Sequence, residues 1–198
     1  MRWIGRIVIA LILIWAVYFV SPYVSMYGLA KAIEARDVAA IERRVNFRAV
    51  RVSVAKQIIP AYLAATGRES DLKGSRGQAV VGIGASIADP LLAQYLSPAA
   101  LAGFLNDPGF AAGGVDAPRP GGIGMISVRN AWRLFVSAET RGFRAISFAV
   151  PVDKPADQQF RLLMRIRGLG WRLVGIDLPK PVLQRFVQEL IRSNPAAS

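Results

Sequence analysis

The chain has 198 residues, of which 53% are hydrophobic and only 19% charged, with a mean hydropathy of +0.35. It holds no cysteine and no histidine, which excludes disulfides, thiol nucleophiles, Cys/His zinc sites and a Ser-His-Asp triad. Its net charge of +12 is spread along the chain rather than gathered in a tail. That suits an anionic surface, but no nucleic-acid motif accompanies it, so nucleic acid is not an expected partner.

Arg2 and Arg6 open the chain, and no further charge occurs until Lys31. The dense apolar run Ile7 to Val20, extended upstream by Trp3, Ile4 and Gly5, reaches the length that a bilayer core requires, about 20 residues. Trp3, Trp15, Tyr18 and Tyr23 are its candidate interfacial aromatics. The run predicts a transmembrane signal-anchor over residues 1–21, followed by a single α+β domain over 22–193. A cleaved signal peptide is the rival. It needs small residues just after the apolar run, where Phe19-Val20-Ser21-Pro22 stands instead, and Gly28-Leu29-Ala30 lies too far downstream. Arg2 and Arg6 place the amino terminus in the cytoplasm and the domain outside it. Arg36, Arg43, Arg44 and Arg48 pull the other way from further off.

Ser21 and Pro22 carry the chemistry of an N-cap and a first helical position. They predict a break or kink, then a second helix with Tyr23, Met26, Tyr27, Ala30 and Ile33 on its apolar side. Asp37 is the expected cap of a short helix with Val38, Ile41 and Val45 on one face. Another helix is expected from near Phe47, with Val50, Val54, Ile58 and Tyr62 in line, a kink at Pro60 and Gly67 as its C′ residue. Residues 68–78 read as a polar loop. Residues 79–96 read as a small-residue helix interrupted at Asp89-Pro90. Ser97-Pro98 signals one more helix start. From Pro108 to Gly124 the chain is rich in Gly and Pro, which predicts a loop, either a lid or an insertion.

Four strands follow by alternation. Residues 130–139 place Trp132, Leu134 and Val136 on one face. Residues 143–152 place Ile146, Phe148 and Val150 together. Residues 159–167 set Phe160, Leu162, Met164 and Ile166 against Arg161, Arg165 and Arg167. Gly168-Leu169-Gly170 turns the chain into residues 171–179. Short connections predict an antiparallel meander with one wet face. Residues 181–193 close as an amphipathic helix with Val182, Phe186, Leu190 and Ile191 on its apolar side. Helices before strands give an α+β fold, a helical half packed on a carboxy-terminal antiparallel sheet of about four strands.

No motif assigns catalytic, cofactor-binding or metal residues. Gly82 to Ile87 (GIGASI) lacks the third glycine of a dinucleotide loop, and Pro120 to Gly124 lacks the Gly-Lys-Ser/Thr of a P-loop. Both read as structural small-residue stretches. Glu139 and Asp177 fall in or at the ends of strands and are the carboxylates placed to reach a cavity. Arg161, Arg165 and Arg167 form a basic stripe that suits lipid phosphates or a partner's acids. Each has a plainer reading as a solvated face or a turn cap.

SPYxxxYxLxxAIxxRD (Ser21 to Asp37), SPAALAGFL (Ser97 to Leu105) and GWRLVGIDLP (Gly170 to Pro179) resemble a bacterial family of short membrane-anchored proteins classed only as a domain of unknown function. The resemblance implies an amino-terminal membrane anchor and transfers no catalytic residue; with the orientation read from Arg2 and Arg6, the expectation is a single-pass protein of the bacterial inner membrane with its domain in the periplasm. The helix–Asp–helix start and closing Gly-Trp-Arg-Leu strand are more remotely similar to nuclear transport factor 2-like folds, which implies a cone-like roll around a pocket. The expected role is non-enzymatic: binding a protein partner or an apolar ligand, with anionic lipid as a further possible partner. The alternatives are an enzyme or lipid-handling protein with a pocket of Asp/Glu, Tyr and Arg, and a cytoplasm-facing protein gripping anionic lipid through its basic residues.

Overall fold

The computed structural model of the chain describes residues 2–99, 138–140, 142–150, 155–168 and 170–193. The expected helix after Ser97-Pro98, the Gly/Pro-rich loop of 108–124 and the strand residues Trp132, Leu134 and Val136 lie at least mainly outside them. The described elements are α1 (Arg2–Glu34), α2 (Val38–Arg44), α3 (Phe47–Ala65), α4 (Gly74–Tyr95), strands β1 (Ala138–Thr140), β2 (Ala145–Val150), β3 (Phe160–Arg167) and β4 (Gly170–Asp177), and α5 (Lys180–Ser193). The fold is α+β, with the four strands in the order β1-β2-β3-β4, each antiparallel to the next.

Helix α1 runs unbroken for 33 residues through Pro22, so the expected helix break at Ser21-Pro22 does not occur. Proline has no N–H and leaves the carbonyl four residues back without its helical donor. That carbonyl is Tyr18 O, and Ser21 Oγ donates to it at 2.8 Å instead. The hydroxyl thus replaces the missing link, and Ser21 acts inside the helix rather than as its cap. Apart from Arg6 and the half-buried Tyr18, the first part of α1 is exposed and apolar from Trp3 to Val20. Those residues rise about 27 Å at about 1.5 Å each, close to the hydrocarbon thickness of about 30 Å. From Pro22 onward the helix turns inward, burying Met26, Leu29, Ala30, Ala32 and Ile33.

The end of α1 is closed by paired bonds from Asp37 N to Ala32 O and from Arg36 N to Ile33 O, with Arg36 at φ 51°. This is the Schellman pattern, with a non-glycine in the left-handed position. Asp37 then caps α2, accepting from Ala40 N, as its position predicted. Ile41 and Val45 are buried as expected, together with Ala40, whereas Val38 is exposed. Asn46 caps α3 by accepting from Ala49 N. Gly67 follows α3 at φ 74° with the same paired bonds, Arg68 N to Leu63 O and Gly67 N to Ala64 O.

The polar segment after α3 is not a loop throughout. It forms a short 3-10 turn (Glu69–Leu72), and α4 begins at Gly74. Helix α4 also continues through Pro90, where an interruption was expected. Asp89 is held by Arg51 of α3, with Nε to Oδ1 at 2.6 Å. The GIGASI stretch lies inside α4, and a Cβ on Gly84 would come within 3.0 Å of Ile59 Cδ1. Gly84 thus lets α3 and α4 approach, whereas Gly82 has open space around it.

The core joins the second half of α1 to α2, the start of α3 and one face of the sheet: Ile146, Phe148, Leu162, Met164, Trp171, Leu173 and Ile176. The alternation predicted for β2 and β3 is therefore the observed one. In β4 it changes phase, because the register slips between Leu163 and Met164, which pair with Gly175 and Leu173. The opposite face is not uniformly wet. Ala145 and Ser147 are buried there, whereas Arg165, Arg167 and Arg172 are exposed. Helix α5 seats Val187, with Leu183 and Ile191 half-buried, while Phe186 and Leu190 are exposed. Of the expected apolar side, Val182 and Ile191 are half-buried and Phe186 and Leu190 are exposed, while Val187, outside that expectation, is the residue buried most fully.

Candidate functional site at the foot of the head

The outer edge of β4 is closed by side and main chain together. Val45 bridges Leu173 in parallel, and Asn46 N donates to Leu173 O at 2.8 Å. Further along, Gln57 of α3 donates from Nε2 to Ile176 O and accepts at Oε1 from Leu178 N, both at 2.8 Å. The amide side chain imitates a neighbouring strand, which satisfies backbone groups that an edge otherwise presents. Sequence reasoning missed Gln57, since a single polar residue within a helix looks like any solvated position.

This closure fixes the start of β4 beside α1. Trp171 Nε1 donates to Ser21 Oγ at 2.7 Å, and the Ser21 hydroxyl donates in turn to Tyr18 O. The Trp171 ring lies 6.2 Å from that of Tyr18, and Tyr23 meets Phe148 edge-on at 5.5 Å. Aromatic contacts of this kind prefer tilted or edge-on geometry. They lock one side of α1 to the sheet over the turns where it passes from exposed to buried.

Beside this lock is a cavity of about 280 Å³. Tyr18, Phe19, Pro22 and Tyr23 of α1 form one wall, and Ala145, Ile146 and Trp171 of the sheet another. Thr140, Gly142 and Phe143 of the β1–β2 turn complete it. Apart from the Tyr18, Tyr23 and Thr140 hydroxyls and the Trp171 indole, already bonded to Ser21, the lining side chains are apolar. No carboxylate, lysine or arginine lines it among the described residues. An open, apolar hollow of this character favours apolar matter.

The residues singled out from the sequence lie elsewhere. Arg161 Nη1 meets Glu139 Oε2 at 3.3 Å, and Asp177 stands opposite Arg161 in the β3–β4 register. The carboxylates therefore accompany Arg161 and do not reach the cavity. Arg165 and Arg167 lie further along β3, toward the hairpin tips. The basic stripe thus divides into a paired residue and an exposed remainder. Among the described residues no group of His, Cys, Asp and Glu is arranged to hold a metal ion.

These features define an α+β protein with one amino-terminal helix long and apolar enough to cross a membrane. Over residues 11–103 the chain is similar to the family described as "Protein of unknown function (DUF2939)". The matched stretch holds most of α1, α2, α3 and α4 and ends before the sheet, so the GWRLVGIDLP strand lies outside it. No curated protein and no solved structure matches the chain.

Proposed function

We infer that the chain is a single-pass membrane protein whose α+β head binds an apolar ligand at the membrane boundary. The cavity carries this reading: it is apolar, aromatic-lined, and set where α1 leaves its exposed apolar run. At about 280 Å³ it stands at the small end of ligand pockets, about 300–1,000 Å³, so it suits one acyl segment or a small ring system. Its lining, aromatic and aliphatic apart from a few hydroxyls and with no carboxylate, lysine or arginine among the described residues, suits binding of an apolar ligand. The head faces the periplasm of a bacterial inner membrane, on the ground that Arg2 and Arg6 precede the span. The cone-like, nuclear transport factor 2-like roll belongs to the same proposal, with α1 and the sheet as walls of its pocket.

The test is lipid analysis of the purified full chain by native mass spectrometry in detergent, beside Thr140→Trp. Thr140 is an exposed lining residue, so the indole blocks the mouth without touching the core. Stoichiometric lipid in the parent and its loss in Thr140→Trp is the expected result. A parent that carries none, even after incubation with a fluorescent fatty acid, overturns the reading. Activity of a cytoplasm-only reporter fused to the carboxy terminus overturns the orientation.

A further inference from the structure

We propose that the hairpin-tip end of the sheet is a second membrane contact, which docks the head onto an anionic bilayer surface beside the foot of α1. The proposal rests on the reading of residues 1–21 as a membrane anchor and adds a contact made by residues far along the chain.

The first observation is one of level. Ala145 pairs with Arg165 and Arg165 with Arg172, so the β1–β2 and β3–β4 turns lie at the same end of the sheet. Trp171, next to the β3–β4 turn, contacts Tyr18, and Phe143 of the β1–β2 turn shares the cavity wall with Phe19. The tips therefore stand level with the last turn of the exposed apolar run, where a bilayer around α1 has its interface.

The second is an apolar wedge. Phe143 is 90% exposed, more than any other large hydrophobic residue described. Aromatic side chains at this depth gain by leaving water for the interface.

The third is charge. Arg144, Arg165, Arg167 and Arg172 are exposed at this end, and none forms an ion pair with a described residue. Arg165 and Arg172 stand directly opposite each other, and like charges in that position repel. Glu139 is turned away to Arg161, with Asp177 opposite that same arginine. Lipid phosphates beside α1 supply the missing anions, in the fork geometry that guanidinium groups favour.

The chain has no cysteine, so Leu13→Cys, Phe143→Cys and Asp157→Cys each take a single nitroxide label. The labelled full-length variants are placed in phosphatidylcholine vesicles with and without phosphatidylglycerol. Collisions with oxygen, which concentrates in lipid, are compared with collisions with a water-soluble nickel complex. The expected result in anionic vesicles is a several-fold loss of nickel collisions at 143 relative to 157, with oxygen collisions retained. Pure phosphatidylcholine, or Arg165→Gln with Arg172→Gln, should return the 143 label toward water. A 143 label as nickel-accessible as 157, while 13 is shielded, overturns the proposal and leaves the anchor standing. A nickel-accessible 13 label overturns the anchor and the proposal together. Shielding of 143 from both reagents means a protein cover and also overturns it, as does a depth indifferent to phosphatidylglycerol and to the arginine variant.

Discussion

Trp171 and Ser21 are 150 positions apart in sequence and 2.7 Å apart in space, indole N–H to hydroxyl oxygen. The bond does two things at once. It satisfies a buried indole, and it orients the Ser21 hydroxyl that donates to the Tyr18 carbonyl left without a partner by Pro22.

Ser21→Ala removes both links and strands a buried donor and a helix carbonyl, each of which costs about 1–3 kcal/mol when unmet. Thermal unfolding of the full chain in detergent should show a loss of about 2 kcal/mol. Trp171→Phe keeps most of the ring and loses the donor, so it should cost less than Trp171→Ala, for which about 3–5 kcal/mol is expected. The Ser21→Ala/Trp171→Phe double variant should fall short of additivity by at least about 0.5 kcal/mol. Strict additivity would show that the two residues do not act as a unit.

The two Schellman ends predict opposite responses. Arg36 occupies a left-handed position at φ 51°, a conformation that costs an L-residue about 1–2 kcal/mol. Glycine adopts it freely, at an unfolded-state entropy cost of about 0.5–1 kcal/mol. Arg36→Gly should therefore stabilise the protein by about 0.5 kcal/mol. Gly67→Ala, at φ 74° with open space around it, should destabilise it by about 0.5 kcal/mol, the same strain less the entropy that alanine removes from the unfolded chain. A differential scan of both variants checks the signs.

Gln57 predicts a difference between two substitutions. Gln57→Ala leaves Ile176 O and Leu178 N at the sheet edge without partners and should cost about 2–3 kcal/mol. Gln57→Glu keeps an acceptor for Leu178 N and loses the donor to Ile176 O. Hydrogen exchange should show the Leu178 amide protected in the Glu variant and open in the Ala variant.

The Arg51–Asp89 pair predicts a response to acid. The hydrogen bond from Arg51 holds the Asp89 carboxyl below its usual range, with the charges of Arg51 and Arg48 acting in the same direction. A carboxyl depressed in the folded state contributes stability that is present above its unfolded pKa, about 3.9. That contribution is lost as pH falls through the lower folded value. Melting temperature should fall below about pH 4, and Asp89→Asn should flatten that part of the profile while lowering stability at neutral pH.

Alternation fixed the cores of β2 and β3 in advance, because a half-buried strand has only two faces and the choice between Leu162 and Arg161 is plain. The same logic failed where two solutions were equally apolar. Helix α5 offers Phe186 and Val187 as adjacent apolar residues between half-buried Val182 and Ile191, and only the neighbours it packs against seat Val187 rather than Phe186. It failed again where a local rule met a distant partner. Ser21-Pro22 has the grammar of a helix start, but Trp171 supplies a bond that makes proline tolerable mid-helix. Asp89-Pro90 reads as a break, yet Arg51 draws that carboxylate against α3. The cavity was illegible for a related reason. Its walls come from Tyr18 to Tyr23 of α1, from Thr140, Phe143 and Ile146 and from Trp171, and no local spacing announces a space between them.

The unbroken course of α1 makes the head and the apolar run one stiff shaft. A residue inserted ahead of Tyr18 would lift everything beyond it by about 1.5 Å and swing it about 100° around the shaft. Which compass direction the cavity mouth and the arginines take around the axis of α1 is thus set by register within a single helix. Counting residues between Trp3 and Pro22 sets an azimuth as well as a height.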